Sequence, residues 1–454
     1  MELREEFKLQ TIPWRELFPW SLLFRSLPVA VHWPVLILAF AGVIATPVGW
    51  KVSQWLFVNT RQLAEDNPTL RAFADRAGSP HAGVFGSGPV GEAGRFAAVD
   101  WNFDGPQTVF LRLVEPFWLM FSRFDGLGLF VYLLIGGVWT MLVWSLVGTA
   151  IARIAVVRFT RSETVSLIEA LSFGWRRLPS CATALVLPLL GVFGLCVLTW
   201  LAGLLMAFDF GFFLVSVCFL LVIALAAVMA LILLGLAFGW PLSVVAIAAE
   251  GQDSFDAMTR AYGYTFQRPL NYAFYALIAI AFGGICWLLV GRLTMGIEHL
   301  AFWSTSWGAN VSASDRIEQI RTPAPPPASR GPAAANPTAD DGATSPSAES
   351  VPTSSPSRMF TLAQTITAFW IGLLRSVAAA FLYAQFWCFA GAAYLLLRRD
   401  VDETELDEVF VSEEQRTFEL PSLNQQPSGT NADESGSASQ GEAPTQVHPR
   451  GDSE

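Results

Sequence analysis

Residues 167–179 read LIEALSFGWRRLP, and residues 254–270 read SFDAMTRAYGYTFQRPL. Both are charged, helix-like stretches set between two of the most apolar runs in the chain. In the first, Ser166 and Glu169 have the spacing of a capping box, where the serine accepts from an early backbone N–H and the acid reaches back. Ile168, Leu171, Trp175 and Leu178 recur at helical spacing on one face. Arg176 and Arg177 then fall in an expected last turn, where the helix dipole favours cations, and Pro179 is expected to stop the element. The second stretch repeats this logic. Asp253 or Ser254 caps, Asp256 takes the acidic place, Phe255, Met258 and Tyr262 form the stripe, and Arg268 precedes Pro269.

Two like elements, each entered by one apolar run and left by another, predict two parallel span–interfacial helix–span repeats. Secondary transporters more often carry inverted ones. Each residue in these elements has a sufficient structural role as cap, dipole partner or interfacial anchor. The basic ends also suit anionic lipid headgroups, at ~1 kcal/mol per arginine near the surface, so Trp175, Arg176, Arg177 and Arg268 are candidate headgroup contacts.

Composition agrees with a membrane chain. A mean hydropathy of +0.45 and 15% charged residues over 454 positions are too apolar for a soluble surface of this size. The net charge of −10 is no guide to a partner, because acids dominate after Arg399 while short segments between the first apolar runs are basic. No nucleic-acid partner is expected. Cys181, Cys196, Cys218, Cys286 and Cys388 all lie in apolar runs without C-x-x-C spacing, which reads as packing. The histidines His32, His81, His299 and His448 are scattered, so no metal or other cofactor is expected.

Spans of about twenty apolar residues are predicted at 29–49, 127–152, 181–207, 211–240, 271–291 and 376–397, giving an all-α integral membrane fold of about six transmembrane helices. The N-terminus lacks the short basic start of a cleavable leader, so the first span is read as retained. The run from Gly211 to Ala249 exceeds one span. FGWPLS at 238–243 is expected to break it, leaving one span with a bent extension, or two spans. Charge favours six. Arg4, Lys8, Arg15 and Arg25, then Arg153, Arg158, Arg161, Arg176 and Arg177, then Arg260 and Arg268, then Arg398 and Arg399, all fall on one side and set it as cytoplasmic.

The expected organisation is a cytoplasmic segment at 1–28, a first transmembrane helix at 29–49, and an extracytoplasmic loop at 50–126. In that loop, SQWLFVNTRQLAED and VFLRLVEPFWLMFSRF suit interfacial helices. A repeated four-span core follows at 127–291, an extracytoplasmic segment at 292–360, the last transmembrane helix at 361–397, and an acidic cytoplasmic tail at 398–454. Residues 321–357, rich in Pro, Ala and Ser, and the tail from about 421 are expected to be disordered.

The repeats resemble the membrane domain that precedes the catalytic barrel in some bacterial glycerophosphodiester phosphodiesterases, and its stand-alone relatives. The resemblance rests on IEALSFGWRR and AAEGQDSFDAMTRAYGYTFQRP and covers residues 127–291. The ending YLLLRRDVDETELDEVF is similar to the close of an uncharacterised group of bacterial multi-pass membrane proteins. No barrel, His-Arg-Gly or Glu-bearing catalytic segment of the enzymes accompanies these stretches, so the phosphodiesterase activity is not carried over.

Other motifs fail on context. GSGPVG at 86–91 has the G-x-G-x-x-G form but no strand before it. DVDETELDE at 400–408 begins like a calcium loop, with Glu405 where the turn needs glycine, and reads as a solvated acidic segment. Ionisable residues inside spans are functional hypotheses by default. Arg375 is expected to mark the outer boundary of the last span and snorkel to headgroups, and Gln385 to bond to a neighbouring helix. No Asp or Glu is expected at mid-membrane.

The sequence therefore predicts a non-enzymatic scaffold or lipid-associated protein of a bacterial cytoplasmic (inner) membrane, with both termini cytoplasmic. Its partners are the bilayer, anionic lipids, and membrane proteins or further copies of itself. The alternative is a transporter or channel subunit with a pathway between the two repeats.

Overall fold

A backbone that runs through hydrocarbon must satisfy its own polar groups, and the α-helix does so within a single segment. In the computed structural model, every regular element among the described residues is helical. The described residues are 18–57, 68–78, 105–122, 127–161, 163–308 and 358–404, all within one compact unit spanning residues 1–410. After a short 3-10 turn at Pro19–Arg25, the helices are α1 (Ser26–Ala30), α2 (Trp33–Phe57), α3 (Pro68–Ala77), α4 (Pro106–Ser122), α5 (Leu127–Thr160), α6 (Leu167–Leu205), α7 (Asp209–Val217), α8 (Phe219–Glu250), α9 (Ser254–Gln267), α10 (Pro269–Trp307) and α11 (Arg358–Asp402). Six of these, α2, α5, α6, α8, α10 and α11, are long and apolar enough to cross a bilayer. The chain is an all-α, multi-pass membrane protein. GSGPVG at 86–91, residues 321–357 and the tail from about 421 lie outside the described residues, as does most of SQWLFVNTRQLAED, whose first five residues end α2.

Two expected breaks do not occur. Pro179 and Pro188 both lie inside α6, which runs without interruption from Leu167 to Leu205. Pro241 likewise lies inside α8. One proline removes one backbone hydrogen bond, whereas ending a helix in an apolar environment leaves up to four carbonyls and four N–H groups without partners. Neighbouring hydroxyls also serve the carbonyls near Pro241. Ser243 donates to Trp240 O at 2.8 Å, and Tyr272 donates to Phe238 O at 3.0 Å. The long apolar run is divided earlier, at Cys218, into the short α7 and the single span α8.

The core gathers where α2, α5, α8 and α11 meet, and tryptophans set into glycine notches fix its spacing. The Trp144 ring lies against Gly42, Trp50 against Gly136 and Trp387 against Gly148, so close that a methyl group at Gly136 or Gly148 would collide with the indole and one at Gly42 would press on it. Trp50 Nε1 also donates to Thr140 Oγ1 at 2.9 Å, which satisfies both groups inside the bundle. The second half of α6, most of α7 and the first half of α8 instead present large apolar side chains outward, among them Phe193, Phe213 and Leu231. An outward apolar surface is the expected state of a helix that meets lipid.

Helix α4 departs from the interfacial position expected of VFLRLVEPFWLMFSRF. Its first residues enter between other helices. Pro106 packs against Gly283 of α10, Gly105 lies against Gly284, and Phe110 stacks on Phe238 of α8 at 5.5 Å. Gly283 is fourteen residues into α10, about 21 Å along it at ~1.5 Å per residue. Val109 and Leu113 are fully buried, and Phe117 reaches Gly137 of α5. The helix therefore descends into the bundle from the end where α2 finishes and α5 begins.

Candidate functional site

Charged residues concentrate at the end of the bundle where α8 finishes, and one carboxylate organises them. Glu250 closes α8, with the left-handed Gly251 (φ 64) as its cap. A carboxylate at a helix C-terminus faces the negative end of the dipole, so it needs strong partners. It has four. Oε1 accepts from Tyr394 at 2.5 Å and pairs with Arg398 at 3.2 Å, while Oε2 accepts from Gln252 at 2.6 Å and Arg260 at 2.8 Å.

The start of the acidic tail joins the same network. Asp402 accepts from Tyr264 and lies 3.8 Å from Arg260. Asp400 accepts from Asn271 at 3.1 Å and Tyr275 at 2.7 Å. The first acids of DVDETELDE are thus the last turn of α11, tied to α9 and α10; Glu405 and the residues after it lie outside the described residues. Burial pulls the Arg260 pKa down, but Glu250, Tyr394, Tyr264 and Asp402 hold it above its ordinary value. Burial, then the Asp402 carboxylate, pushes the Tyr264 hydroxyl up. These groups bind one another, and their work is to lock α9 and α11 onto α8.

The candidate headgroup contacts lie beside this lock but outside it. Arg176 and Arg268 are exposed and Arg177 is half-buried, and none of the three has an ion-pair partner among the described residues. The apolar stripe of the first element points away from the bundle: Ile168 is 80% and Trp175 65% exposed. Its opposite face, Ala170, Gly174 and Cys181, is buried, and Gly174 meets the backbone of Leu146. Phe266 and Leu270 flank Arg268 in the chain and are likewise exposed, as is Phe255 at the start of α9. Ser166 caps as expected, accepting from the Glu169 N–H at 3.3 Å. Arg176 and Arg177 are not in a last turn, because α6 continues to Leu205. Dipole compensation therefore does not account for them, though it does for Arg268 at the C-cap of α9.

The two intramembrane candidates are held apart. Arg375 does not snorkel. Its Nε and Nη2 donate to both oxygens of Glu298 at 2.8 and 2.9 Å, a two-pronged pair with both side chains mostly buried. Glu298 lies in α10, twenty-nine residues from Pro269, about 44 Å along the helix. Arg375 is twenty-three residues before Arg398 in α11, about 35 Å away. Both distances exceed the ~30 Å of hydrocarbon that a span has to cross. Gln385 lies about 20 Å from Arg398 along the same helix and is fully buried. The Cys286 thiol of α10 is the polar group that meets its amide across the helices, a weak contact that leaves neither end of the amide with a hydrogen bond of ordinary geometry.

Reasoning from sequence missed Glu298, because α10 was expected to end near 291. It also missed the roles of Tyr264, Tyr275, Tyr394 and Asn271, whose partners lie more than 120 positions away. Glu250 offered one local signal, an acid at a helix C-terminus followed by glycine, which is a costly position unless a cation meets it. No protein-family model, curated protein or solved structure matches this chain.

Proposed function

We propose that the protein is a non-enzymatic component of a bacterial cytoplasmic (inner) membrane, with the Glu250 end and both termini on the cytoplasmic side. There it serves as a scaffold or lipid-associated protein that engages anionic headgroups through Arg176, Arg177 and Arg268. The observation that carries this reading is selective pairing. Arg260 and Arg398, close by, are engaged by Glu250, while these three remain without a partner among the described residues, with exposed Trp175 next to Arg176 and exposed Phe266 and Leu270 within two positions of Arg268. An aromatic residue at the headgroup level with a guanidinium next to it is the usual anchor of a membrane face.

At ~1 kcal/mol per arginine, changing Arg176, Arg177 and Arg268 together to Gln should lower anionic-lipid preference several-fold to about a hundredfold, and less so at high salt. Purification in a mild detergent, with phosphatidylglycerol and zwitterionic lipid measured in the bound fraction, reads this directly. Unchanged bound lipid together with a lower melting temperature would show that the arginines serve only the fold.

A further inference from the structure

A cavity of about 80 Å³ lies among α2, α3, α4, α5 and α11, towards the end of the bundle opposite Glu250. Its deep side is aromatic. Trp144 and Tyr383 stack at 4.3 Å and 9°, and Trp50 packs edge-on to Phe73 at 5.1 Å. Its polar side is Arg76, Arg112 and Glu115, and α4 supplies the last two by descending into the bundle.

The pairing among these three is incomplete. Arg76 donates to Glu115 at 2.7 Å. Arg112 makes no hydrogen bond or ion pair among the described residues, and the described lining holds two arginines and one glutamate. The Arg112 guanidinium is half-buried and open to a ligand, and its planar fork matches a carboxylate or phosphate with two parallel hydrogen bonds. At roughly 10–15 Å³ for each water, the space holds several waters or one headgroup-sized group. It is well short of the ~300 Å³ that encloses a larger ligand.

We propose that this cavity binds a compact oxyanion, a phosphate or carboxylate group, with Arg112 as its principal ligand and Arg76 beside it. The group arrives either free or as the headgroup of a membrane lipid. Arg76 is positioned by Glu115, and the aromatic floor limits the depth to which the anion's bulk can enter.

The test uses the full chain in nanodiscs, with Arg176, Arg177 and Arg268 already changed to Gln so that lipid held at the opposite end does not contribute. Inorganic phosphate is titrated calorimetrically in purely zwitterionic discs, and retention of phosphatidylglycerol is followed by native mass spectrometry. Phosphate binding identifies a free anion as ligand; phosphatidylglycerol retained without phosphate binding identifies a headgroup. In either case Arg112→Gln should weaken binding about ten- to a hundredfold, the loss of a charge-assisted pair. Arg112→Lys should restore part of it, because a lysine keeps the charge and loses the fork. Ala77→Trp, which narrows the cavity and leaves every charged group in place, should abolish binding even if Arg112→Gln does not fold. Absence of both phosphate and phosphatidylglycerol binding, or equal binding by the parent and Ala77→Trp proteins, overturns the proposal.

Discussion

The segments 167–179 and 254–267 share a pattern and are put to different use. The second forms a separate helix, α9, ended by the non-helical Arg268 before Pro269. It is fastened by Arg260 to Glu250, by Tyr264 to Asp402, and by Tyr262, whose hydroxyl donates to Ile232 O at 2.9 Å. The first is the opening of the 39-residue helix α6, attached to α5 by the close packing of Gly174 on Leu146. A proline follows both. It ends the helix where side chains and chain ends from α8, α10 and α11 supply partners, and is absorbed where none are offered. The copy without such partners keeps its arginines for whatever lies outside the bundle.

Removing the fastening of the second copy should have the largest effect. Glu250→Ala leaves Arg398, whose side chain is 9% exposed, without its carboxylate, along with the buried Tyr394 hydroxyl. Breaking a buried pair in this way costs about 3–5 kcal/mol. Arg260, 39% exposed, adds little because solvent screens it. A marked fall in the detergent melting temperature is expected. An unchanged melting temperature would mean that α11 is held on α8 by packing alone and that the Glu250 network does not set the second copy apart.

The next effect belongs to the first copy. A methyl group at position 174 would stand 2.8 Å from the Leu146 carbonyl oxygen. Gly174→Ala should therefore cost about 1–3 kcal/mol by overpacking, reduced by the ~0.5–1 kcal/mol that alanine adds to a helix interior. Thermal melting again measures it. A stabilised Gly174→Ala protein would show that α6 is free to move off α5, and that close packing does not distinguish the first copy.

The smallest effect has the opposite sign. Gly263 in α9 has nothing nearer than Gln267 Nε2, at 3.6 Å from an added Cβ. Gly263→Ala should then raise stability by about 0.5–1 kcal/mol, from helix propensity alone. Destabilisation there would reveal a contact on the outward face of α9 and would sharpen the contrast between the copies.

Periodicity and capping made much of this legible. The Ser166 cap and the outward stripe of Ile168 and Trp175 follow from local spacing, because each depends on residues within two turns. The helix ends did not follow. Pro179 and Pro241 carry the usual signals for a break, yet one lost hydrogen bond costs less than leaving a whole helix end without partners in an apolar layer. The Arg375–Glu298 pair joins two helices across 77 positions, a distance at which no local pattern informs. The cavity was equally hidden, since α4 reads as an aromatic amphipathic stretch whether it lies flat or descends.

By itself, then, the sequence determined that the chain crosses a membrane as six long helices, with arginine-rich short connections on one face. Length and hydropathy are additive along the chain and need no knowledge of neighbours. Only the tertiary structure decided which charges are consumed and which stay available. Glu250 takes Arg260 and Arg398 but not Arg176, Arg177 or Arg268, and Glu115 takes Arg76 but not Arg112. Pairing falls off over a few ångströms of separation in space, and the order of residues along the chain does not fix that separation.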